Sequence, residues 1–180
     1  MLEDTLKLVL DTSHATPSPA LPRTLDALFE SLARAETAER AAELEDEIWA
    51  LWLEHPQPVA REALERAGQA IAGRDFEEAG RLLDRIVEDF PDYAEAWNKR
   101  ATLRFLQGRD KDSVHDIRRT LLLEPRHFGA ICGFAQICLR QDRGDLALFA
   151  LQRAHTIHPT MDSVNEAITQ LATKTKGPAH

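Results

Sequence analysis

Apolar residues recur along this chain three and four positions apart, the spacing that collects side chains on one face of a helix. The segments 82–87, 117–123 and 148–154 show it most clearly, and each runs toward a proline: Pro91, Pro125 and Pro159, spaced by 34 residues. Proline cannot continue a helix and biases the residue before it away from helical angles, so three amphipathic helices are predicted to stop in phase.

The same period appears at other positions. Ala79, Ser113 and Ala147 are 34 apart, as are Leu83, Ile117 and Leu151, and Ala101 and Ala135. Small residues let two helices approach closely, and the aliphatic positions fill the space between them. Gly73-Arg74-Asp75, Gly108-Arg109-Asp110 and Asp142-Arg143-Gly144-Asp145 break each unit into two helices. The units are residues 60–93, 94–127 and 128–161.

These positions resemble the tetratricopeptide repeat, which places a large residue near the start of its first helix, small residues facing its second, glycine at the turn and proline after the second helix. The unit 94–127 matches best, with Trp97, Ala101, Gly108, Ser113, Ile117 and Pro125. The unit 128–161 keeps Ile131, Ala135, Ala147, Leu151, Ala154 and Pro159 but has Asp142 at the turn. In the unit 60–93, Gly68 and Gly73 fall one residue out of phase, which a one-residue deletion in its first helix explains. The resemblance covers a little over half the chain. It implies an all-α fold, a right-handed superhelical array of antiparallel helix pairs.

Outside the units, Leu25, Leu28, Phe29 and Leu32 have helical spacing, as do Leu44, Ile48, Leu51 and Trp52, before Pro56 and Pro58. Residues 23–58 are read as a degenerate N-terminal helix pair covering the apolar face of 60–93, with Thr24 as a cap. A polar helix over 161–174 caps the other end, and 175–180 is a frayed tail. Residues 1–22, with Thr16-Pro17-Ser18-Pro19 and Pro22, read as a flexible leader.

Composition narrows the function classes. An apolar content of 43% with 29% charged residues suits a buried core. No stretch reaches the ~20 apolar residues of a spanning helix, and Met1-Leu2-Glu3-Asp4 is not a secretory signal start. The expected location is cytoplasmic, with the periplasm as the alternative for a trimmed chain. The net charge of -8 is divided unevenly: residues 1–95 carry 22 acidic and 9 basic side chains, residues 96–180 carry 8 and 13. Nucleic acid is not an expected partner, because the basic residues are dispersed and lack interleaved aromatics.

Motif-borne catalysis finds no foothold. There is no GxxxxGK loop, GxSxG elbow or HExxH helix. Cys132 and Cys138 lie six apart, on different faces of a helix, and read as small buried hydrophobes rather than a disulfide or metal pair. His155 and His158 share a helix face without further ligands, and the run Glu43, Glu45, Asp46, Glu47 is spread around its axis. No cofactor or metal is expected, and the chain is read as a non-enzyme. The weakest alternative is a site built from Arg100, Arg104 and His127. Arg100 and Arg104, one turn apart, are expected to find carboxylates at Asp84, Glu88 or Asp116, or else to grip a partner's anion.

The resemblance further implies a concave groove lined by the first helix of each pair. Its inward positions are Glu95, Asn98, Thr102 and Phe105, then Gly129, Cys132, Gln136 and Leu139. Gly129 and Gly133 leave one helix face bare, for close packing of a neighbouring helix or for a ligand. Chaperone-binding members clamp a C-terminal carboxylate with Lys, Asn and Arg at places that here hold Leu64, Gly68, Lys99, Gly129 and Gly133, so that clamp is absent. The expected function is a scaffold or adaptor holding a protein or peptide segment in the groove. The alternative is a self-associating structural protein, a homo-oligomer joined through its acidic and basic halves.

Overall fold

The computed structural model describes residues 1–11 and 15–175; the expected frayed tail lies, apart from its first residue, outside the described residues. Among them the chain is all-helical, with ten helices and no strand: α1 (Leu2–Asp11), α2 (Thr24–Ala33), α3 (Ala38–Leu53), α4 (Pro58–Ala72), α5 (Phe76–Asp89), α6 (Ala94–Leu106), α7 (Asp110–Leu123), α8 (Phe128–Arg140), α9 (Gly144–Ile157) and α10 (Asp162–Thr175). Helices α4–α9 form three antiparallel pairs, and α10 packs on α9 through Val164, Ile168 and Leu171.

The 34-residue period is written into the backbone as well as the side chains. Three residues take left-handed backbone angles, Arg74 (φ 61°), Gly108 (φ 73°) and Asp142 (φ 56°), and they fall in register. Each ends the first helix of a pair with the same hydrogen bond, from Asp75 N–H to Ala70 O, Arg109 N–H to Arg104 O and Arg143 N–H to Cys138 O, all 2.8 Å. This corrects the expected deletion in the first unit. Gly73 has an ordinary helical φ of −76°. Arg74 takes the turn position, and Ala67 is buried in line with Ala101 and Ala135, so the phase is intact. A side chain is tolerated at φ > 0 here because the two flanking helices fix the turn.

Burial follows the repeat. Ala79, Ser113 and Ala147 are sealed between the helices of each pair, and the Ser113 hydroxyl donates to Ala101 O at 2.8 Å. Trp97 anchors the middle unit by donating its indole N–H to Pro91 O at 3.0 Å.

Two features of the N-terminal third depart from the sequence reading. The segment read as a flexible leader contains α1, whose Leu6 and Val9 are buried against α7 and α9. Leu2, Leu6 and Val9 make one helical stripe, and Arg118 donates to the buried Thr5 hydroxyl at 3.3 Å, which ties that stripe down. Thr24 does not cap α2: it lies inside the helix, after an N-cap at Arg23 with no side-chain bond.

The second departure is larger. Helices α2 and α3 do not stack as a leading unit on α4 and α5. Their Leu25, Phe29, Leu32, Leu44, Ile48 and Trp52 join the core of α7, α8 and α9, while α4, α5 and α6 share a separate core around Leu64, Leu83 and Ile86. The hairpin crosses the array at the turns where one unit passes to the next. Tyr93 donates its hydroxyl to Leu53 O, His127 stacks on Trp52 with ring centroids 3.9 Å apart, and His158 meets Glu45 at 3.0 Å. Phe128 draws α2 and α3 to these turns, because its ring packs against Phe29, Trp49 and Trp52 at once.

Candidate functional site

The expected groove residues fall into two groups. Glu95, Gly129 and Cys132 lie toward the end crossed by α3. Glu95 is fully buried and does not present its carboxylate to a partner. It accepts from Asn98 Nδ2 and meets His127 Nε2, both at 3.0 Å, and pairs with Lys99 Nζ at 3.3 Å. His127 is buried too and caps α8, accepting the Ala130 N–H at Nδ1 (3.1 Å). With that nitrogen acting as acceptor, the ring proton sits on Nε2 and is donated to Glu95. A buried carboxylate compensated in this way locks the junction between units; removing a partner would leave a costly unpaired charge.

Gly129 explains why α3 comes so close. A Cβ built there would lie 2.9 Å from Cη2 of Trp49, tighter than packed atoms tolerate, so the bare backbone accommodates the indole. Cys132 is half-buried nearby, and burial, with the charge of Glu45, pushes its thiol up to about 11. Burial also pushes Cys138 up to about 11. Both thiols stay protonated near neutral pH, which suits packing and not nucleophilic chemistry.

The second group remains open. Thr102, Gln136 and Leu139 are exposed and Asn98 and Phe105 half-exposed. Asn98, Thr102, Phe105 and Gln136 border a cleft of about 50 Å³ between α6 and α8, floored by Ala101, Ile117 and Gly133. A Cβ on Gly133 would meet only Ile117 Cδ1, at an ordinary 3.8 Å, so no neighbouring side chain requires glycine there. Phe105 is covered on one side by Arg140, whose guanidinium lies 3.8 Å from the ring centroid. A second, wider cleft of about 420 Å³ opens between α4 and α6, beside Leu64, Gly68 and Lys99.

Arg100 and Arg104 turn away from both clefts. Arg100 forks onto Asp116, with Nε and Nη2 each 2.9 Å from a carboxylate oxygen, and its Nη1 reaches Asp84 at 2.8 Å. Arg104 joins Asp116 at 2.7 Å. Burial opposes the charge on Arg100, but the hydrogen bonds and charges of Asp116 and Asp84 outweigh it and raise its pKa. Burial dominates at Arg104 and lowers its pKa. The Arg100 donors are spent on these aspartates, which is the structural role, and His127 lies in the other network. His155 and His158 also separate, to Asn165 (2.7 Å) and Glu45 (3.0 Å). Sequence reasoning missed that Trp49 and Trp52 of α3 dock on His127, Phe128 and Gly129; the one signal pointing there was the glycine at 129, a helix-interior gap that needed filling.

Stacked antiparallel pairs, the shared left-handed turn and the concave row of first helices define a tetratricopeptide-type solenoid. The chain belongs to the TPR repeat-containing proteins: it is 34% identical over 170 residues to a TPR repeat-containing protein of Rhizobium etli, covering 94% of this chain and 82% of that one. No family profile matches the chain. Among solved structures, the TPR2B domain of yeast Sti1, in complex with pHsp70, aligns with a TM-score of 0.60 at 14% identity, over 66% of this chain and 99% of that one. The TPR2AB domain of Sti1, in complex with pHSP90, gives 0.57 at 20% identity over 85% and 62%. A MamA mutant gives 0.54 at 16% identity over 84% and 85%. At these identities the likeness is one of fold. No helix among the described residues is long and apolar enough to cross a membrane.

Proposed function

We propose that this chain is a non-catalytic scaffold or adaptor that holds a segment of a partner protein on its concave face, in the part that α3 leaves open. The observation behind this reading is the contrast along α6 and α8: their first turns are sealed by α3, while their later turns keep Thr102, Gln136 and Leu139 exposed beside an unfilled cleft. Amide and hydroxyl groups there suit a peptide backbone, and Leu139 and Phe105 supply apolar surface for side chains. The carboxylate-clamp places of chaperone-binding relatives hold Leu64, Gly68, Lys99, Gly129 and Gly133, so the segment need not end in a free carboxylate. Thr102→Trp and Gln136→Trp, introduced separately, are expected to abolish capture of the partner from native lysate while leaving the melting temperature within a few degrees of wild type. Normal capture by both variants would remove the groove from consideration.

Self-association is the second reading, and one observation favours it. The hairpin expected to cover the first unit docks elsewhere, which leaves Val59 at the start of α4 62% exposed on an acidic leading unit. Repeat arrays with an uncovered end stack readily. Sedimentation velocity at low and high salt tests this: an oligomer that dissociates as salt rises supports joining through opposite charge, and a monomer at both salts refutes it.

A further inference from the structure

A cavity of about 470 Å³ lies apart from the groove, where the first unit passes to the second, between the 20–22 segment, the loop after α3 and the turn before α6. Its walls include four rings, Trp52, His55, Phe90 and Tyr93, and two carboxylates, Glu54 and Asp92; no lysine or arginine lines it among the described residues. That volume is within the range of ordinary ligand pockets.

Trp52 is 2% exposed, and its indole N–H has no hydrogen-bond partner. Among the described residues two other buried side-chain atoms lack hydrogen bonds, but Glu95 and Asp110 are paired with Lys99 and Arg140. The Trp52 donor has no such compensation among the described residues, but its nitrogen is sealed from the cavity, so it reports on the cavity wall without touching a ligand. The charges give the rest of the ligand's description. Glu54 is partly offset by Arg61 at 3.5 Å. Among the described residues Asp92 has only the His55 ring, at 4.0 Å, and its side chain is 56% exposed at the rim. His55 accepts the Gln57 N–H at Nδ1, so its proton sits on Nε2.

We propose that this cavity binds an alkylguanidinium or alkylammonium group, as on an Arg or Lys side chain, seated among the rings and paired with Asp92. Cations are attracted to aromatic faces, and the long stems of these side chains suit an apolar wall. The excess of 22 acidic over 9 basic side chains in residues 1–95 draws such a ligand toward this cavity.

The test is titration of the full chain with acetyl-Gly-Ser-Arg-Ser-Gly-amide, with the same peptide carrying norleucine in place of arginine, and with agmatine. The readout is the indole N–H resonance of Trp52. A saturable shift with the arginine peptide, absent with norleucine and weakened about tenfold by Asp92→Asn, is the expected result. Agmatine binding as tightly as the peptide assigns the site to a free amine; binding by the peptide alone assigns it to a polypeptide. No saturable shift up to about 10 mM, or equal binding by the norleucine peptide or by Asp92→Asn, overturns the proposal. Asp92 lies at the rim, so its variant folds, and the groove substitutions Thr102→Trp and Gln136→Trp leave this binding unchanged.

Discussion

The two ends of the concave face are built from the same two helices and behave oppositely. At the first turns of α6 and α8, Trp49 of α3 lies over Gly129, and the buried Glu95 is bonded to Asn98 and His127 inside the protein. One turn later a Cβ built on Gly133 would meet nothing closer than Ile117, and beyond it Gln136 and Leu139 face solvent. A concave position in a repeat therefore does not by itself mean a binding position. Which inward residues remain available is decided by what the rest of the chain lays over them.

The sharpest way to break this contrast is at the covered end. Trp52→Ala removes a ring packed on Phe29, His127 and Phe128 and is expected to cost about 3–5 kcal/mol in denaturant unfolding. Unchanged stability would mean that α3 lies outside the cooperative core. Glu95→Ala leaves His127 Nε2–H, Asn98 and Lys99 without their acceptor, a loss of about 2–3 kcal/mol by the same measurement. Gly129→Ala forces a methyl against Trp49 and is expected to cost about 1–2 kcal/mol as α3 shifts. Gly133→Ala, one turn on, has the opposite sign: its methyl meets only ordinary contact, so helix propensity raises stability by about 0.5–1 kcal/mol. Thermal melts of this last pair give the cleanest comparison, and two changes of the same sign would erase the distinction between the ends.

The repeat was legible because proline and small residues act locally: Pro91, Pro125 and Pro159 stop helices wherever the helices then go. The turn was harder. Glycine marks it at Gly108 alone, and Arg74 and Asp142 adopt the same left-handed angle without glycine's signature, so the first unit looked shifted when it was not. Helix α1 escaped because its stripe of Leu2, Leu6 and Val9 is short and followed by a proline-rich stretch. The docking of α3 was not readable at all. An apolar face states that something must cover it, but Glu45 and His158 are 113 residues apart, and no periodicity names a partner at that distance. For the groove, the inward set was placed by resemblance, and its division into covered and open residues depended on that same long-range docking.

The placement of α3 also changes how the chain must come together. In a plain repeat array each unit needs only its neighbour, and folding can follow synthesis from the first residue onward. Here α2 and α3 have their seats on Phe128 and His158, about 100 residues further along the chain, and leave the ribosome well before those seats are made. Residues 24–53 therefore wait with Trp49, Trp52 and Phe29 exposed until the third unit is complete. The amphipathic hairpin that finally bolts the array together is, until then, the part of the nascent chain most in need of protection.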